Sequence, residues 1–153
     1  MQEPIELFGE WFAAAAASSD SAEPNAMALA TAAGTALATA AGTAPSVRMV
    51  LLKGFDDRGF TFYTNYGSAK AAEIDAGGAA ALCFYWEHLG RQVRVRGAAR
   101  RVAEAESADY FASRPRGSQL GAWSSKQSSV IPSRQVRDAP AAHTVRVCCQ
   151  CVH

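Results

Sequence analysis

Two strand patterns joined by a short polar turn constrain the fold of this chain more than any other feature. Val47 to Gly54 and Gly59 to Asn65 are rich in aliphatic, β-branched and aromatic residues, and the four residues 55–58 between them have the length of a hairpin loop. Two more strand patterns follow, since residues 79–86 are almost all apolar and residues 91–102 alternate between two faces. We therefore expect an antiparallel β-structure built from short neighbouring strands.

The sequence also predicts a few helices around these strands. An amphipathic helix begins near Pro4 and ends before the polar residues 18–25. Ser68 is placed to cap a short helix over residues 69–76, and a further helix covers residues 103–113. Together these patterns indicate a mainly β protein with a few helices.

Composition and charge narrow the class of protein. The chain has 153 residues, of which 49% are hydrophobic, and this is enough for one domain with a buried core. Its 15 basic and 14 acidic residues leave a net charge of +1, so no global field draws in nucleic acid or an anionic membrane surface. No apolar run reaches the roughly 20 residues of a membrane span. We expect a soluble cytoplasmic protein that binds neither nucleic acid nor membrane.

Residues 29–44 contain a tandem duplication. Leu29 to Ala36 is repeated letter for letter as Leu37 to Ala44, a unit of eight residues. This unit is too short for a solenoid repeat, and we interpret the second copy as an insertion into a loop. Each doubling of loop length costs only about 0.6 kcal/mol, so the insertion is compatible with folding.

The cysteines do not indicate a metal site. Cys83 lies in an apolar strand pattern, where a small buried hydrophobic residue is the simplest interpretation. Cys148, Cys149 and Cys151 lack the paired C-x-x-C spacing of a structural zinc site. They belong to a tail over residues 135–153 that shows neither helical nor strand periodicity, and we expect this tail to be disordered.

Cations and hydroxyl groups gather at one end of the predicted sheet. The strand that opens on Arg48 closes on Lys53, and the return strand ends at Thr64, shortly before Ser68 and Lys70. A phosphate group needs such a cluster, because charge-assisted hydrogen bonds are roughly twice as strong as neutral ones. The N-terminus of the helix after Ser68 adds to the attraction. Since Arg48 and Lys53 are five positions apart, they are expected to point to opposite faces of the strand and to have different roles.

Taken together, these motifs resemble the pyridoxamine 5′-phosphate oxidase family, whose members are FMN enzymes that make pyridoxal 5′-phosphate. The resemblance rests on R-x-V-L-L-K from Arg48, Y-T-N from Tyr63, S-x-K from Ser68, R-Q-V from Arg91 and W-x-S-K-Q-S from Trp123, and it covers residues 4–134. It implies a split β-barrel of the FMN-binding type, a six-stranded antiparallel Greek-key-like barrel, assembled as a homodimer with FMN at the subunit interface. Residues 1–134 would form this domain and residues 135–153 the non-matching tail.

The resemblance also implies the residues of two binding sites, and it assigns no protein side chain a catalytic role. The residues implied to bind FMN are Arg48, Met49, Val50, Leu51, Leu52, Lys53, Tyr63, Thr64, Ser68, Lys70, Gln92, Gln127 and Ser128. Gln127 and Ser128 are implied to reach FMN from the other subunit. The residues implied to bind the substrate are Lys53, Tyr110, Arg114 and Ser118.

Two details of these sites lead to further expectations. Tyr110, Arg114 and Ser118 have the spacing of one helix face, but Pro115 interrupts that face, so we expect a helix end or a turn to present them. Ala69 stands where the family usually has an arginine. Because a hydrogen bond to a charged group is worth about 1.5–3 kcal/mol, we expect weaker FMN retention.

The activity implied by the resemblance is FMN-dependent oxidation of pyridoxamine or pyridoxine 5′-phosphate to pyridoxal 5′-phosphate. A hydride passes from the C4′ carbon to the flavin, and O2 reoxidises the flavin with formation of hydrogen peroxide. Two alternatives remain, a catalytically silent FMN- or pyridoxal-phosphate-binding barrel and a related flavin- or deazaflavin-dependent reductase. The substrate-side residues Tyr110, Arg114 and Ser118 favour the oxidase over the reductase. The family's C-terminal tryptophan and Arg-x-His have no match after Ser133, which favours the silent barrel.

Overall fold

Six antiparallel strands close into a barrel in the computed structural model, which describes residues 3–20, 23–32, 44–130 and 144–149. The strands are β1 (Ala26–Thr31), β2 (Ser46–Asp56), β3 (Gly59–Asn65), β4 (Ala79–Trp86), β5 (Arg91–Arg100) and β6 (Thr144–Cys149), and their order around the barrel is β1-β2-β3-β6-β5-β4. The helices are α1 (Pro4–Ala17), α2 (Ala69–Gly77), α3 (Glu104–Ser113) and α4 (Arg116–Ser124), with a short 3-10 helix at Glu87–Leu89. The predicted antiparallel six-stranded barrel with a few helices is confirmed.

The two predicted hairpins are present. β2 pairs with β3 up to the pair Asp56–Gly59, so the connecting turn is shorter than the sequence pattern suggested. Gly59 has a φ of 122°, a backbone conformation that glycine adopts without steric cost. β4 pairs with β5 along its whole length, from Ala79 opposite Ala98 to Trp86 opposite Arg91. These hairpins place β2 and β3 side by side, which matters for the site described below.

Strand β1 lies where the sequence patterns above predict no strand. Its alanines are half-buried, whereas Met27, Leu29 and Thr31 are buried, so the strand has the alternation of a sheet with one face in the core. Alanine has a weak strand preference, which hid this alternation at the level of sequence. The first copy of the duplication supplies Leu29 to Thr31, and residues 33–43, with most of the second copy, lie outside the described residues.

The expectation that residues 135–153 lack regular structure is wrong for Thr144–Cys149. This segment forms β6, which pairs with β3 from Phe60 opposite Cys149 to Asn65 opposite Thr144, and also with β5. It closes the barrel between two strands that would otherwise present open edges. The physical reason is strand pairing with distant partners, which a local pattern does not reveal. The rest of the tail lies outside the described residues, and the domain boundary at residue 134 stays a prediction.

Helices α1 and α2 pack against the barrel and fix its interior. Phe8 of α1 is 3% exposed, and its ring centroid lies 4.7 Å from that of Phe60 and 5.0 Å from that of Phe84. In α2, Ala71 and Ile74 are buried, and the helix contacts β1 and β5. The polar side of α2 is thereby held next to the ends of β1 and β2. Among the described residues, no helix is long and apolar enough to cross a membrane.

Candidate functional site

A cavity of about 1020 Å³ is lined by residues of β2 and β3, of α2, α3 and α4, and of the loop that follows α4. Small-molecule and cofactor sites commonly have volumes of roughly 300–1,000 Å³, so the cavity is large enough for a cofactor together with a substrate. The predicted site residues that line it are Arg48, Met49, Val50, Leu51, Lys53, Tyr63, Thr64, Lys70, Tyr110, Arg114, Ser118, Gln127 and Ser128. Residues from five separate stretches of sequence thus meet in one place.

Three predicted site residues lie elsewhere. Leu52 is 4% exposed and belongs to the hydrophobic core. Ser68 is 1% exposed, and its hydroxyl accepts a hydrogen bond from the amide of Ala71 at 3.4 Å, so it caps α2. Gln92 is exposed on β5, opposite Tyr85 of β4. These three side chains are not among the residues that line the cavity, and their implied contacts with FMN stay a prediction.

Arg48 and Lys53 both line the cavity, although they were expected to serve different faces of β2. Arg48 is half-buried and Lys53 is exposed, which agrees with opposite orientations on the strand. The register between β2 and β3 shifts between Leu52 and Gly54, so Lys53 lies at an irregularity in the ladder. One wall of the cavity therefore carries two cations that are held in different surroundings.

Arg48 is held in a closed set of polar contacts at the end of the barrel. Its Nη2 donates to Glu73 Oε2 at 2.7 Å and also to the hydroxyl of Ser46, while its Nη1 donates to the hydroxyl of Thr31. The Thr31 hydroxyl in turn donates to the same Glu73 carboxylate. The side chains of Arg48 and Glu73 are each 19% exposed. The guanidinium is therefore fixed by partners on three elements before any ligand is bound.

Glu73 is a site residue that the sequence analysis missed. Burial raises the pKa of its carboxyl, but hydrogen bonds from Thr31 and Arg48 and the positive charges of Arg48 and Lys70 outweigh that effect and lower it. The carboxyl is consequently ionised and paired with Arg48. The available sequence signal was its spacing from Lys70, because residues three apart on a helix lie on one side.

Lys70 is the second buried cation of this region. It is 8% exposed, and its Nζ donates to Gln127 Oε1 at 2.9 Å, an oxygen that also accepts from the hydroxyl of Thr64 at 3.3 Å. Burial lowers the pKa of Lys70 below its ordinary value of 10.5, the nearby charge of Arg48 lowers it further, and the charge of Glu73 partly compensates. An anion bound between the two cations would remove this penalty.

An aromatic pair attaches helix α3 to the barrel. The rings of Tyr63 on β3 and Tyr110 on α3 stack with their centroids 3.4 Å apart and their planes 3° apart. Helix α3 ends at Ser113, and Pro115 precedes the first residue of α4, so Arg114 lies at the junction of the two helices. As expected from Pro115, a helix end rather than a continuous helix face presents Arg114.

Hydrogen bonds to the barrel and to α2 hold the loop after α4 in place. Asn65 Nδ2 donates to the carbonyl of Ser125 at 3.0 Å, and Gln127 contacts Lys70 and Thr64 of the same chain. The contribution of Gln127 and Ser128 to a site on another subunit stays a prediction. No group of three or more metal-binding side chains occurs within the described part of the chain. The arrangement suits an anionic organic ligand.

Proteins of known family that are similar to this chain identify the family to which it belongs. The model of the family described as pyridoxamine 5′-phosphate oxidase matches residues 14–147. A pyridoxine/pyridoxamine 5′-phosphate oxidase from Rubrobacter xylanophilus is 57% identical over 133 residues, which are 87% of this chain and 58% of that protein. One from Brucella canis is 52% identical over 145 residues, which are 94% of this chain and 68% of that protein. The chain thus spans about six- to seven-tenths of these curated relatives, and the family match continues past residue 134.

Solved structures support the architecture. PhzG from Burkholderia lata 383, crystallised in complex with tetrahydrophenazine-1-carboxylic acid, superimposes with a TM-score of 0.86 at 26% identity, covering 99% of this chain and 77% of that one. A pyridoxamine 5′-phosphate oxidase-related, FMN-binding protein from Nostoc punctiforme PCC 73102 gives a TM-score of 0.74 at 16% identity and covers 99% of this chain and 83% of that one. The expected split-barrel fold is confirmed by these likenesses.

Proposed function

This chain belongs to the pyridoxamine 5′-phosphate oxidase family, and on that premise we propose that it binds FMN in the cavity beside β2 and β3. We further propose that it uses FMN and O2 to oxidise pyridoxamine or pyridoxine 5′-phosphate to pyridoxal 5′-phosphate, a reaction of vitamin B6 metabolism. The observation that carries the proposal is the convergence of the half-buried Arg48, the buried Lys70 and Arg114 on the lining of one cavity.

The residues present fit FMN. A phosphate ester needs fixed cations and hydrogen-bond donors, and Arg48 and Lys70 supply them in partly desolvated surroundings where electrostatic attraction is strong. The strand from Met49 to Leu51 lines the adjoining wall and offers an apolar surface to a planar ring system. Because Ala69 contributes no charge, Arg48 and Lys70 must provide most of the attraction for the phosphate.

The substrate side of the cavity is supplied by α3 and α4. Arg114 and Ser118 offer a guanidinium and a hydroxyl to the phosphate of a vitamin B6 compound, and Tyr110 adds a phenolic hydroxyl. Lys53 of β2 also lines the cavity. When bound, FMN would supply the two-electron oxidation that no protein side chain can perform, and O2 would serve as the final acceptor. The protein's part is to hold both phosphates so that the reacting carbon meets the flavin ring.

The cofactor part of the proposal is tested by comparing FMN with riboflavin, which lacks the phosphate. We expect the purified protein to bind FMN at least about tenfold more tightly than riboflavin, because at least one charge-assisted hydrogen bond depends on the phosphate. Quenching of flavin fluorescence during titration measures both dissociation constants. Equal affinity for the two flavins would show that Arg48 and Lys70 do not bind a phosphate.

We also propose that the protein is a homodimer, assembled through the outer face of β2, β1, β4 and β5. Residues that pair directly across neighbouring strands lie on the same side of a sheet, and Met49, Ala28, Cys83 and Arg94 form one such row. Much of this face is apolar or small, and Val47, Met49 and Tyr85 are 67%, 64% and 64% exposed. Large exposed apolar surfaces commonly mark interfaces.

This assembly gives Gln92 a role that it lacks in a single chain. Gln92 pairs with Tyr85 and so lies on the same outer face, while Met49 belongs to that face and also lines the cavity. A second copy covering the face would bring the partner's Gln92 towards the cavity. The implied contact between Gln92 and FMN is therefore proposed to be made across the dimer.

Replacing Tyr85 by glutamate is expected to weaken dimer association at least about tenfold, because an unpaired charge would be buried at the interface. Sedimentation velocity over a range of protein concentrations measures the effect. Leu120→Glu is the matched control, since Leu120 is 53% exposed on α4, which is not one of the four strands of this face. A Tyr85→Glu protein that dimerises as well as the control would contradict the proposed interface.

A further inference from the structure

Glu73 does not line the cavity, but it contacts a residue that does. Glu73 touches Arg48 and Thr31, and of these three residues only Arg48 lines the cavity. Glu73 is therefore placed to act on a ligand through Arg48. Its partners come from β1 and β2, whereas Glu73 itself is on α2, so the contact joins the helix that follows Ser68 to the barrel.

The three side chains form a closed hydrogen-bonded triangle. Arg48 donates to Glu73 and to Thr31, and the Thr31 hydroxyl donates to Glu73. A threonine hydroxyl has one donor hydrogen and two acceptor lone pairs, so Thr31 can satisfy both neighbours at once. The guanidinium has five N–H donors, of which this triangle and Ser46 use three. Donors of Arg48 remain for a ligand while the side chain is held in place.

We propose that Glu73 is a positioning residue that pre-orders Arg48 for the phosphate of the flavin. The inference rests on the proposed function, because it assumes that Arg48 contacts that phosphate. An arginine side chain is flexible and loses rotamer entropy when it binds an anion, and fixing it before binding removes that cost from the binding step. Glu73 thereby converts a flexible cation into a rigid one.

The negative charge of Glu73 has an opposite effect, because it repels a phosphate. The structure favours the positioning role for a geometric reason. Glu73 meets the guanidinium of Arg48 at 2.7 Å and is held there by Thr31, whereas it does not line the cavity in which the anion would lie. Repulsion between the Glu73 carboxylate and the phosphate falls with distance and is partly cancelled by the guanidinium of Arg48. A disordered Arg48, in contrast, would directly weaken the contact with the phosphate.

The experiment compares FMN and riboflavin affinities of the wild type, Glu73→Ala and Glu73→Gln by fluorescence titration. Alanine removes the partner of Arg48, so the dissociation constant for FMN is expected to rise at least about tenfold. Glutamine keeps an oxygen that can accept from Arg48 and Thr31 but carries no charge, so its FMN affinity is expected to stay within about threefold of the wild type or to be tighter. Riboflavin affinity should change less than about twofold in both variants, because the effect acts through the phosphate.

Asp75→Asn serves as the matched control. Asp75 is also a carboxylate on α2, but it pairs with Arg101 on the outside of the protein, with Arg101 Nε donating to it at 3.1 Å. Its replacement should leave the affinities for both flavins unchanged. A loss of FMN affinity in Asp75→Asn equal to that in Glu73→Ala would overturn the inference, because any carboxylate on the helix would then have the same effect.

Other outcomes are equally decisive. Tighter FMN binding in both Glu73 variants would show that Glu73 acts only as an opposing charge. An equal loss of FMN affinity in Glu73→Ala and Glu73→Gln would show that the charge of Glu73 matters rather than its hydrogen bonds to Arg48. A parallel loss of riboflavin affinity would show that Glu73 has a general structural role. Each of these overturns the proposal. If the wild type itself fails to prefer FMN, the proposed function fails first, and that result is read from the wild-type titration alone.

Discussion

Replacing Arg114 by alanine is expected to lower kcat/KM for pyridoxamine 5′-phosphate by roughly 10- to 100-fold, mainly through a higher KM. Arg114 lies at the junction of α3 and α4 and lines the cavity. Its carbonyl accepts a hydrogen bond from Gln119 Nε2 at 2.8 Å, which fixes the backbone of the junction. A guanidinium that binds a phosphate contributes about 1.5–3 kcal/mol, and most of that is uniform binding rather than stabilisation of the transition state.

The chain provides a control for this variant on the other side of Pro115. Arg116 is exposed at the first position of α4 and lies outside the cavity lining. Arg116→Ala should therefore change kcat/KM by less than about twofold, although it removes the same charge from the same turn. Steady-state kinetics on the two variants, with FMN saturating, make the comparison. Equal losses in both would contradict a specific phosphate contact at Arg114.

Replacing Lys70 by methionine is expected to raise the dissociation constant for FMN by roughly 10- to 100-fold. Methionine has a similar length and suits a position that is only 8% exposed, but it removes both the charge and the hydrogen bond to Gln127. Riboflavin binding should change much less. Lys126→Met is the control, because Lys126 is exposed just before Gln127 and lies outside the cavity lining.

The same lysine predicts a dependence of FMN affinity on pH. Burial, and then the charge of Arg48, lower the pKa of Lys70 below 10.5, so the ammonium loses its proton earlier than an exposed lysine does. Bound phosphate favours the protonated form, and therefore FMN affinity should fall as the pH rises through the pKa of Lys70. The phosphate of FMN is already a dianion above about pH 7, so it does not titrate in this window. Titrations between about pH 7 and 10 should show that FMN affinity falls with rising pH in the wild type and stays constant in Lys70→Met. The same pH dependence in both proteins would show that Lys70 does not cause the loss of affinity.

Much of the barrel could be predicted from local patterns, and the exceptions have physical causes. The hairpin of β2 and β3 and the cap at Ser68 depend on residues close in sequence, and both appear in the structure. Strand β1 escaped notice because its outward residues are alanines. Strand β6 escaped notice because its pairing with β3 joins residues some eighty positions apart, and short patterns do not report such partners.

In the candidate site, too, the features that depend on contiguous residues could be predicted and those that depend on packing could not. Recognisable motifs predicted most of the residues that line the cavity, because those motifs are short and contiguous in the chain. The pairing of Arg48 with Glu73 and the contact of Lys70 with Gln127 depend on how α2 and the loop after α4 pack on the barrel, so sequence spacing alone could not supply them. The hydroxyl of Ser68, which was predicted to bind a ligand, caps the start of its own helix, and its contact with FMN stays a prediction.

Aerobic turnover is the measurement that tests the proposed oxidase most directly. The purified protein is incubated with saturating FMN and pyridoxamine 5′-phosphate, and the aldehyde product and hydrogen peroxide are followed together. We expect continuous formation of pyridoxal 5′-phosphate with one peroxide for each aldehyde, at a rate that falls in the Arg114→Ala variant. Folded protein that binds FMN but forms neither product would contradict the oxidase and indicate a flavin-binding barrel without catalytic activity.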